Sequence, residues 1–498
     1  MMDYFSDDAV RSQLRTKTVR GAAITGITQI IRIGIGLATI PLLARLLQPE
    51  DFGLFAIVAV ITNFALIFVD AGLSMATIQR ESINRTQVSN LFWTTAAIGL
   101  ALTAIVSATG PVLGWLYAEP RLAWLVAVTA LTYIFAGLTI QHQALLRRCM
   151  LFNRIAVIEV LSLLAGQVAA IVWAFNHTGQ ANDYWALALI PLVSSGTRML
   201  GVWSACRWIP QWPARDPQSR QMLHFGGNLT VGQACNYLSS NVDQLAVGYV
   251  FGDASLGNYE RSTTLALQPI RQINGPLTSV CVPALSRLID QPEKYFHAFR
   301  TAVVLVGLLI VPFASLCIVE ADKLVPLIMG PGWNDAINIF RLLAVSLLTL
   351  PICNASAWLL ISQGRGAETL KVQAVDAVLK IGLVGCGIPF GVLGVAAATP
   401  IRSLVMPAYL FGVIGRSGPV RSRAIWKLCL VQMLAVATTT TMLLAIRWCS
   451  VNSEPSAIVV SALAAGLTST AIFLAFRFVR TGIADIVRSL PLAHATAS

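Results

Sequence analysis

Five cationic side chains stand where a hydrocarbon environment should exclude them. Arg32, Arg198, Arg271, Lys380 and Arg402 each lie well inside a long apolar stretch, several helical turns from its ends. A charge near the middle of a bilayer costs about 2.5–3.5 kcal/mol, so such groups must face a protein interior or a wet cavity. The acids of the same stretches do not match them. Asp70, Glu159, Asp243 and Glu260 count out nearer to helix ends, and only Asp376 is comparably deep, with Lys380 four residues on along the same helical face. Arg32, Arg198, Arg271 and Arg402 are left without a carboxylate close in sequence. Such a set creates a positive potential that lowers the cost of bringing an anion, a phosphate for example, into the membrane. For any single residue an interhelical ion pair, Arg32 with Asp70 for instance, is the alternative. Asp70, Glu159 and Asp243 are candidates for coupling transport to protons or sodium, and equally for ion-pair or helix-end roles.

The elements that must position these charges are membrane spans. With 56% hydrophobic and 12% charged residues among 498, and a mean hydropathy of +0.70, the chain is too apolar to be solvated by water alone. A bilayer core of about 30 Å needs about 20 apolar residues per helix. Stretches of that length fall at 21–45, 53–77, 89–113, 122–144, 155–175, 184–206, 224–250, 256–283, 298–319, 336–361, 369–389, 393–414, 425–446 and 456–477. These predict an all-α polytopic membrane protein of about 14 transmembrane helices. The stretches at 224–250 and 256–283 are the most polar. They place Asn228, Gln233, Asn236, Asn241, Gln244, Gln268, Gln272 and Asn274 at membrane depth, as helices that line a lumen do.

Charge sets the orientation. The net charge of +12 is not the footprint of nucleic-acid binding, because 24 of the 35 Lys and Arg fall in alternate connections on one side and four on the other. Both termini are therefore expected in the cytoplasm of a bacterial inner membrane. The first stretch is too long for a signal peptide and lacks a small-residue cleavage site, so it is expected to remain as a span. The nine cysteines are dispersed without C-x-x-C spacing and the five histidines are scattered, so neither a metal site nor a cofactor is expected. No G-x-x-x-x-G-K-[ST] loop occurs, which excludes ATP hydrolysis by that route.

An internal repeat organises the spans. The stretch that ends ARLLQPEDFGLF returns about 204 residues later as one that ends VGYVFGDASLGNY, so Phe52-Gly53-Leu54-Phe55 aligns with Leu256-Gly257-Asn258-Tyr259. Six spans separate the copies, so both enter from the same side, as parallel repeats flanking a cavity do. The expected organisation is a cytoplasmic segment 1–20, an N-lobe 21–206 of helices 1–6, and a cytoplasmic linker 207–223. A C-lobe 224–414 of helices 7–12, appended helices 13–14 over 415–478 and a tail 479–498 complete it. Two six-helix lobes would thus surround a central cavity.

Several motifs then carry a resemblance. ARLLQPEDFGLFA, the run from Asp70 to Arg80 (DAGLSMATIQR), NVDQLAVGYVFGDASLGNYERS, PLIMGPGWNDA and LLISQGRGAETLK resemble segments of Wzx-type lipopolysaccharide and exopolysaccharide flippases, particularly the colanic-acid exporter branch. The likeness runs from about residue 14 to 414. It implies membership of the multidrug/oligosaccharidyl-lipid/polysaccharide exporter superfamily. It also implies a transporter, not an enzyme, that moves an undecaprenyl-diphosphate-linked oligosaccharide between leaflets by alternating access. Partners would be that lipid-linked oligosaccharide, the bilayer, and a polysaccharide polymerase with its export machinery, with no nucleic acid. Arg32, Arg198, Arg271, Arg402 and Lys380 would contact the diphosphate. Gln244 departs from the family pattern, which usually has Lys there. The competing reading is a MATE-like small-molecule or drug antiporter, for which deep acids should outnumber deep bases. A membrane polymerase or glycosyltransferase would need catalytic carboxylates on a sizeable outer loop, and Glu320, Asp322 and Asp335 of the longest such loop read as solvated charges.

Overall fold

The computed structural model describes residues 14–70, 72–79, 83–177, 183–214, 234, 236–449 and 456–475. Among them every regular element is helical. The chain divides into two compact units at Glu260/Arg261. Most of the expected linker 207–223 lies outside the described residues.

The first unit begins with α1 (Leu14–Leu46) and α2 (Pro49–Asp70), followed by the short α3 (Leu73–Gln79) and the long α4 (Arg85–Leu116). A capping box starts α4: Asn84 accepts from the amide of Gln87, and the Gln87 side chain accepts from the amide of Asn84. Next come α5 (Arg121–Ala130) and α6 (Thr132–Arg148), two halves of one span broken at Leu131, then α7 (Phe152–His177) and α8 (Trp185–Cys206). Residues 236–251 form α9, and α10 (Asp253–Ser286) crosses the division. Helix α7 packs along both α1 and α8, while α4 packs along α5 and α6.

The connections of this unit gather in two sets. On one side, Arg121 binds Glu119, lies 3.9 Å from Asp253 and stacks over the Tyr184 ring. On the other, the stretch after α8 is strapped to the start of α4 and the end of α6. Asn90 bonds Ala214 in both directions, Trp93 donates to the Gln211 carbonyl, and the His142 ring bonds the Trp208 carbonyl. Arg148 reaches the carbonyl of Thr77 on the same side.

The repeated motif meets itself. A Cβ on Gly53 would overlap the carbonyl oxygen of Asp253, and a Cβ on Gly257 would overlap that of Pro49. Under the shift of 204 residues Pro49 becomes Asp253 and Gly53 becomes Gly257, so each contact is the other's symmetry mate. Only glycine allows two helix starts to approach this closely.

In the second unit, α11 (Pro292–Val319) leads to α12 (Ala321–Met329), α13 (Asn334–Val345) and α14 (Leu350–Ser362). The run from Pro331 to Ser362 is bent by 42° near Thr349. Helices α15 (Gly366–Gly387) and α16 (Gly391–Arg416) form a hairpin. Arg402 bonds Asp376, and Arg365 bonds the carbonyls of Val413, Ile414 and Ser417. These pairs are centred between residues 389 and 391, on the turn Ile388–Phe390 and the Gly391 that follows it with a φ of 76°. The 51 continuous apolar residues are therefore two spans. Helices α17 (Ser422–Cys449) and α18 (Ser456–Ala475) dock on α11 through Val304, Val311, Ala435 and Val436, and through Val319, Leu443 and Ala465. Tyr295, Phe299, Trp358 and Phe411 centre the core near the ends of α11, α14 and α16.

With the α15–α16 hairpin counted once, nine helical stretches among the described residues are long and apolar enough to cross a bilayer, or ten with the bent pair as one span. The protein is thus a multi-pass membrane protein. Among the described residues α9 is too short to count as a span, and α10 falls short on apolarity, in keeping with the polar residues it carries.

Candidate functional site

A cavity of about 350 Å³ opens inside the first unit. Helix α2 contributes Thr62, Asn63 and Asp70, the α5–α6 span contributes Thr129, Thr132, Thr139 and Gln143, and α8 contributes Ser194, Ser195 and Arg198. Because α5 breaks at Leu131, carbonyls near the break lose their helical partners and hydroxyls replace them. Thr103 donates to the Ala130 carbonyl and Thr132 to that of Thr129. Most lining hydroxyls donate to their own helix: Thr62 to Val58, Thr129 to Leu125, Thr139 to Phe135 and Ser195 to Pro191. Their lone pairs remain as acceptors. The buried Ser194 hydroxyl has no partner among the described residues.

The charges beside this cavity are arginine-rich. Arg198 is half-buried, and its Nε has no hydrogen-bond partner among the described residues. Glu159, Arg32 and Arg147 lie within its Coulombic range. Glu159 is 3.4 Å from Arg32 through Oε2, and its Oε1 accepts from Gln143 at 3.4 Å. Both contacts are long beside the 2.7–2.9 Å of a committed charge-assisted bond. Two guanidinium groups, Arg32 and Arg198, thus flank one loosely held carboxylate, with Arg147 within range of Arg198. Asp70 turns away from that group: its two oxygens accept from the amide and hydroxyl of Ser74, tying off the break between α2 and α3.

The other sequence candidates are held differently. Arg402 donates to both oxygens of Asp376, at 2.6 and 2.7 Å, across the α15–α16 hairpin. The sequence reading left Arg402 without a partner and gave Asp376 to Lys380; the hairpin supplies the missing contact. Lys380, one turn along α15, is buried. Arg271 is exposed on α10 in the second unit. Asp243 is buried on α9 and accepts from the Tyr259 hydroxyl at 2.8 Å. The expected alternative of Arg32 paired with Asp70 gives way to Arg32 with Glu159.

Outside the spans, Asp322 accepts two bonds from Arg447 and a third from Arg341. Burial pushes the Asp322 carboxyl up, but the Arg447 and Arg341 guanidiniums outweigh it and hold the group below the usual carboxylate range. Glu320 binds Lys323 and accepts from Ser461, which ties the end of α11 to α18.

With this geometry in view, the likeness to known proteins is informative. The profile of the family described as "Polysaccharide biosynthesis protein" matches residues 42–338, more than half of the chain. The chain belongs to the polysaccharide biosynthesis protein family. Among relatives, lipopolysaccharide biosynthesis protein WzxC of Escherichia coli (strain K12) is 28% identical over 380 residues, covering 75% of this chain and 76% of its own length. Succinoglycan biosynthesis transport protein ExoT of Rhizobium meliloti (strain 1021) is 23% identical and covers 71% of each chain. Of solved structures, the lipid II flippase MurJ in an inward closed conformation superposes with a TM-score of 0.70 at 14% identity, covering 91% of this chain and 98% of its own. An inward-facing MATE multidrug transporter reaches 0.61 at 16% identity over 80% of this chain and 99% of its own. At these identities the two structures show a shared fold alone.

For this polysaccharide biosynthesis protein, the family match encloses Asp70, Gln143, Arg147, Glu159 and Arg198 of the cavity group. Two members of that group escaped sequence reasoning. Arg147 was counted with the cytoplasmic connection, and Gln143 carries no charge to flag it. The available signal was periodicity: 143 and 147 lie four apart on α6, on one face with Thr139.

Proposed function

We propose that this chain carries an undecaprenyl-diphosphate-linked oligosaccharide across the bacterial inner membrane for lipopolysaccharide or exopolysaccharide synthesis, by alternating access. It acts as a transporter and not as an enzyme. The supporting observation is the cavity of the first unit, whose lining carries Arg198 and an Asp70 already bonded to Ser74, with Arg32 and Glu159 within Coulombic range of Arg198. At 4 Å and an effective dielectric of about 20, one charge pair is worth about 4 kcal/mol. That exceeds the roughly 2.5–3.5 kcal/mol for a charge at mid-bilayer, so one well-placed arginine offsets one phosphate charge. The hydroxyl and amide lining suits sugar hydroxyls, while the polyprenyl chain remains in lipid. The relatives named for lipopolysaccharide and succinoglycan biosynthesis support the same substrate class.

The proposed architecture is fourteen spans in two six-helix lobes around a central cavity, with α17 and α18 appended and both termini cytoplasmic. The domain limits expected from sequence are kept as part of this proposal. Alternating access finds support in the closed crossing at Gly53 and Gly257, which lies about nine residues, or roughly 13 Å, along α2 from the start of the cavity at Thr62. Asp70 and Asp243 stay as candidates for ion coupling, and a polymerase as a partner.

The test is an export assay in cells with membrane protein levels held equal. Arg32→Ala and Arg198→Ala should each reduce surface polysaccharide at least tenfold, the loss of about 1.4 kcal/mol or more. Undiminished export in both variants would overturn the assignment. The MATE-like reading predicts a changed drug sensitivity instead.

A further inference from the structure

Glu159 invites a role that neither its depth nor its family explains. It is a carboxylate placed beside Arg32 and Arg198, yet it bonds neither at committed distance. Its two oxygens reach Arg32 and Gln143 only at 3.4 Å each. The same chain shows what a permanent pair looks like, in Arg402 and Asp376 at 2.6 and 2.7 Å. The Glu159 side chain is about 20% exposed and that of Arg32 about 43%, so the pair borders open space and not a sealed core. Neither side chain is trapped. The arrangement is therefore built to come apart.

We infer that Glu159 is a resident counter-ion that holds the anion position between Arg32 and Arg198 while no phosphate is bound, and yields it when a diphosphate arrives. This rests on the phosphate reading of the cavity given above. Two guanidiniums without a carboxylate would be expensive at membrane depth in the empty protein. They would also hold a diphosphate too firmly to let it go, and transport needs binding weak enough to leave. A carboxylate of the same shape of charge solves both problems. It neutralises part of the cluster before loading and competes for the same donors during release. Gln143 gives the displaced or returning carboxylate a neutral donor to rest on, since an amide N–H serves either position.

The experiment uses the purified full-length protein in detergent, with farnesyl diphosphate as the probe and binding read by calorimetry. Glu159→Gln keeps the shape and the contact with Gln143 but removes the competing charge. Binding of farnesyl diphosphate should tighten by about three- to fivefold, the range of a half-exposed ion pair. In the export assay the same variant should lower both the maximal rate and the half-saturating substrate level. Unchanged or weaker binding by Glu159→Gln overturns the inference, and so does a loss of thermal stability without tighter binding, which marks a structural role. Arg32→Gln and Arg198→Gln separate the two levels of the argument. If both variants lose affinity while Glu159→Gln fails to gain it, the counter-ion role alone is wrong. If neither variant loses affinity, the phosphate reading itself has failed.

Discussion

Arginines at equal depth in this chain do different things, and distance separates them. Arg402 gives two short bonds to Asp376, with the two side chains about 19% and 34% exposed, so its charge is already spent. Breaking such a pair from one side leaves an uncompensated charge, which costs about 3–5 kcal/mol when fully buried and less at this exposure. Asp376→Ala and Arg402→Ala should therefore each destabilise the protein by about 2–3 kcal/mol. The double variant should cost less than their sum, and a thermal-denaturation cycle in detergent would show it. Strict additivity would mean that the two residues do not act as a pair. The depth of Arg402 was legible in the sequence because hydropathy places it far from any polar boundary. Its partner was not, because 26 residues and a hairpin turn separate the two. Glu159 was harder still: it reaches Arg32 across 127 residues, and its distance from a helix end gave no reason to set it among the arginines.

At the level of elements, the sequence reading succeeded wherever apolarity does the work. The expected stretches fall on helix wherever they are described, although 224–233 lies outside the described residues and only nine or ten stretches pass as spans, and α10 is polar in both views. Breaks were less legible. The interruption at Leu131 carries no proline or glycine to announce it, whereas the bend near Thr349 is marked by Pro351 in the first turn of α14. The repeated Gly53 and Gly257, by contrast, were found as a pattern before their purpose was known. Each helix start is packed against the carbonyl of the other. Gly53→Ala and Gly257→Ala should then each destabilise this crossing by about 1–3 kcal/mol, as overpacking does. The double variant should add little, because both methyls disrupt one contact. If alternating access opens this crossing, the variants should also favour the open state. A cysteine placed at Thr62 would then react faster with an impermeant maleimide added from the outer side. Labelling unchanged in both variants would show that the crossing does not limit access.

Across the whole molecule, the expected orientation follows from the side on which Lys and Arg fall, whatever acids they meet. The four cations on the minority side are Arg45, Arg121, Lys323 and Arg447. Three of them sit beside acids: Arg121 on Glu119, Lys323 on Glu320 and Arg447 on Asp322. The acids beside them do not change the count, because Lys and Arg set orientation while Asp and Glu contribute little, so the expected bias stays at 24 against four. Contacts within each unit sort its connections into two sets. In the first unit Glu119, Arg121, Tyr184 and Asp253 meet on one side while Trp208, Gln211 and Ala214 bind the opposite ends. In the second, Ser362 and Arg365 gather with Ser286, Tyr295 and Ile414, away from Asp322 and Arg447. Alkaline phosphatase fused after Glu119 or Gly330 should therefore be active in the periplasm, and fused after Met150, Asp290 or Gly418 it should be inactive. The pair Asp290 and Gly330 bears most weight, because Asp290 follows the two polar stretches that hydropathy alone treats as doubtful. An active fusion at Asp290 would mean that α9 and α10 do not both cross, and the parallel repeat, whose two copies must enter from the same side, would fall with them.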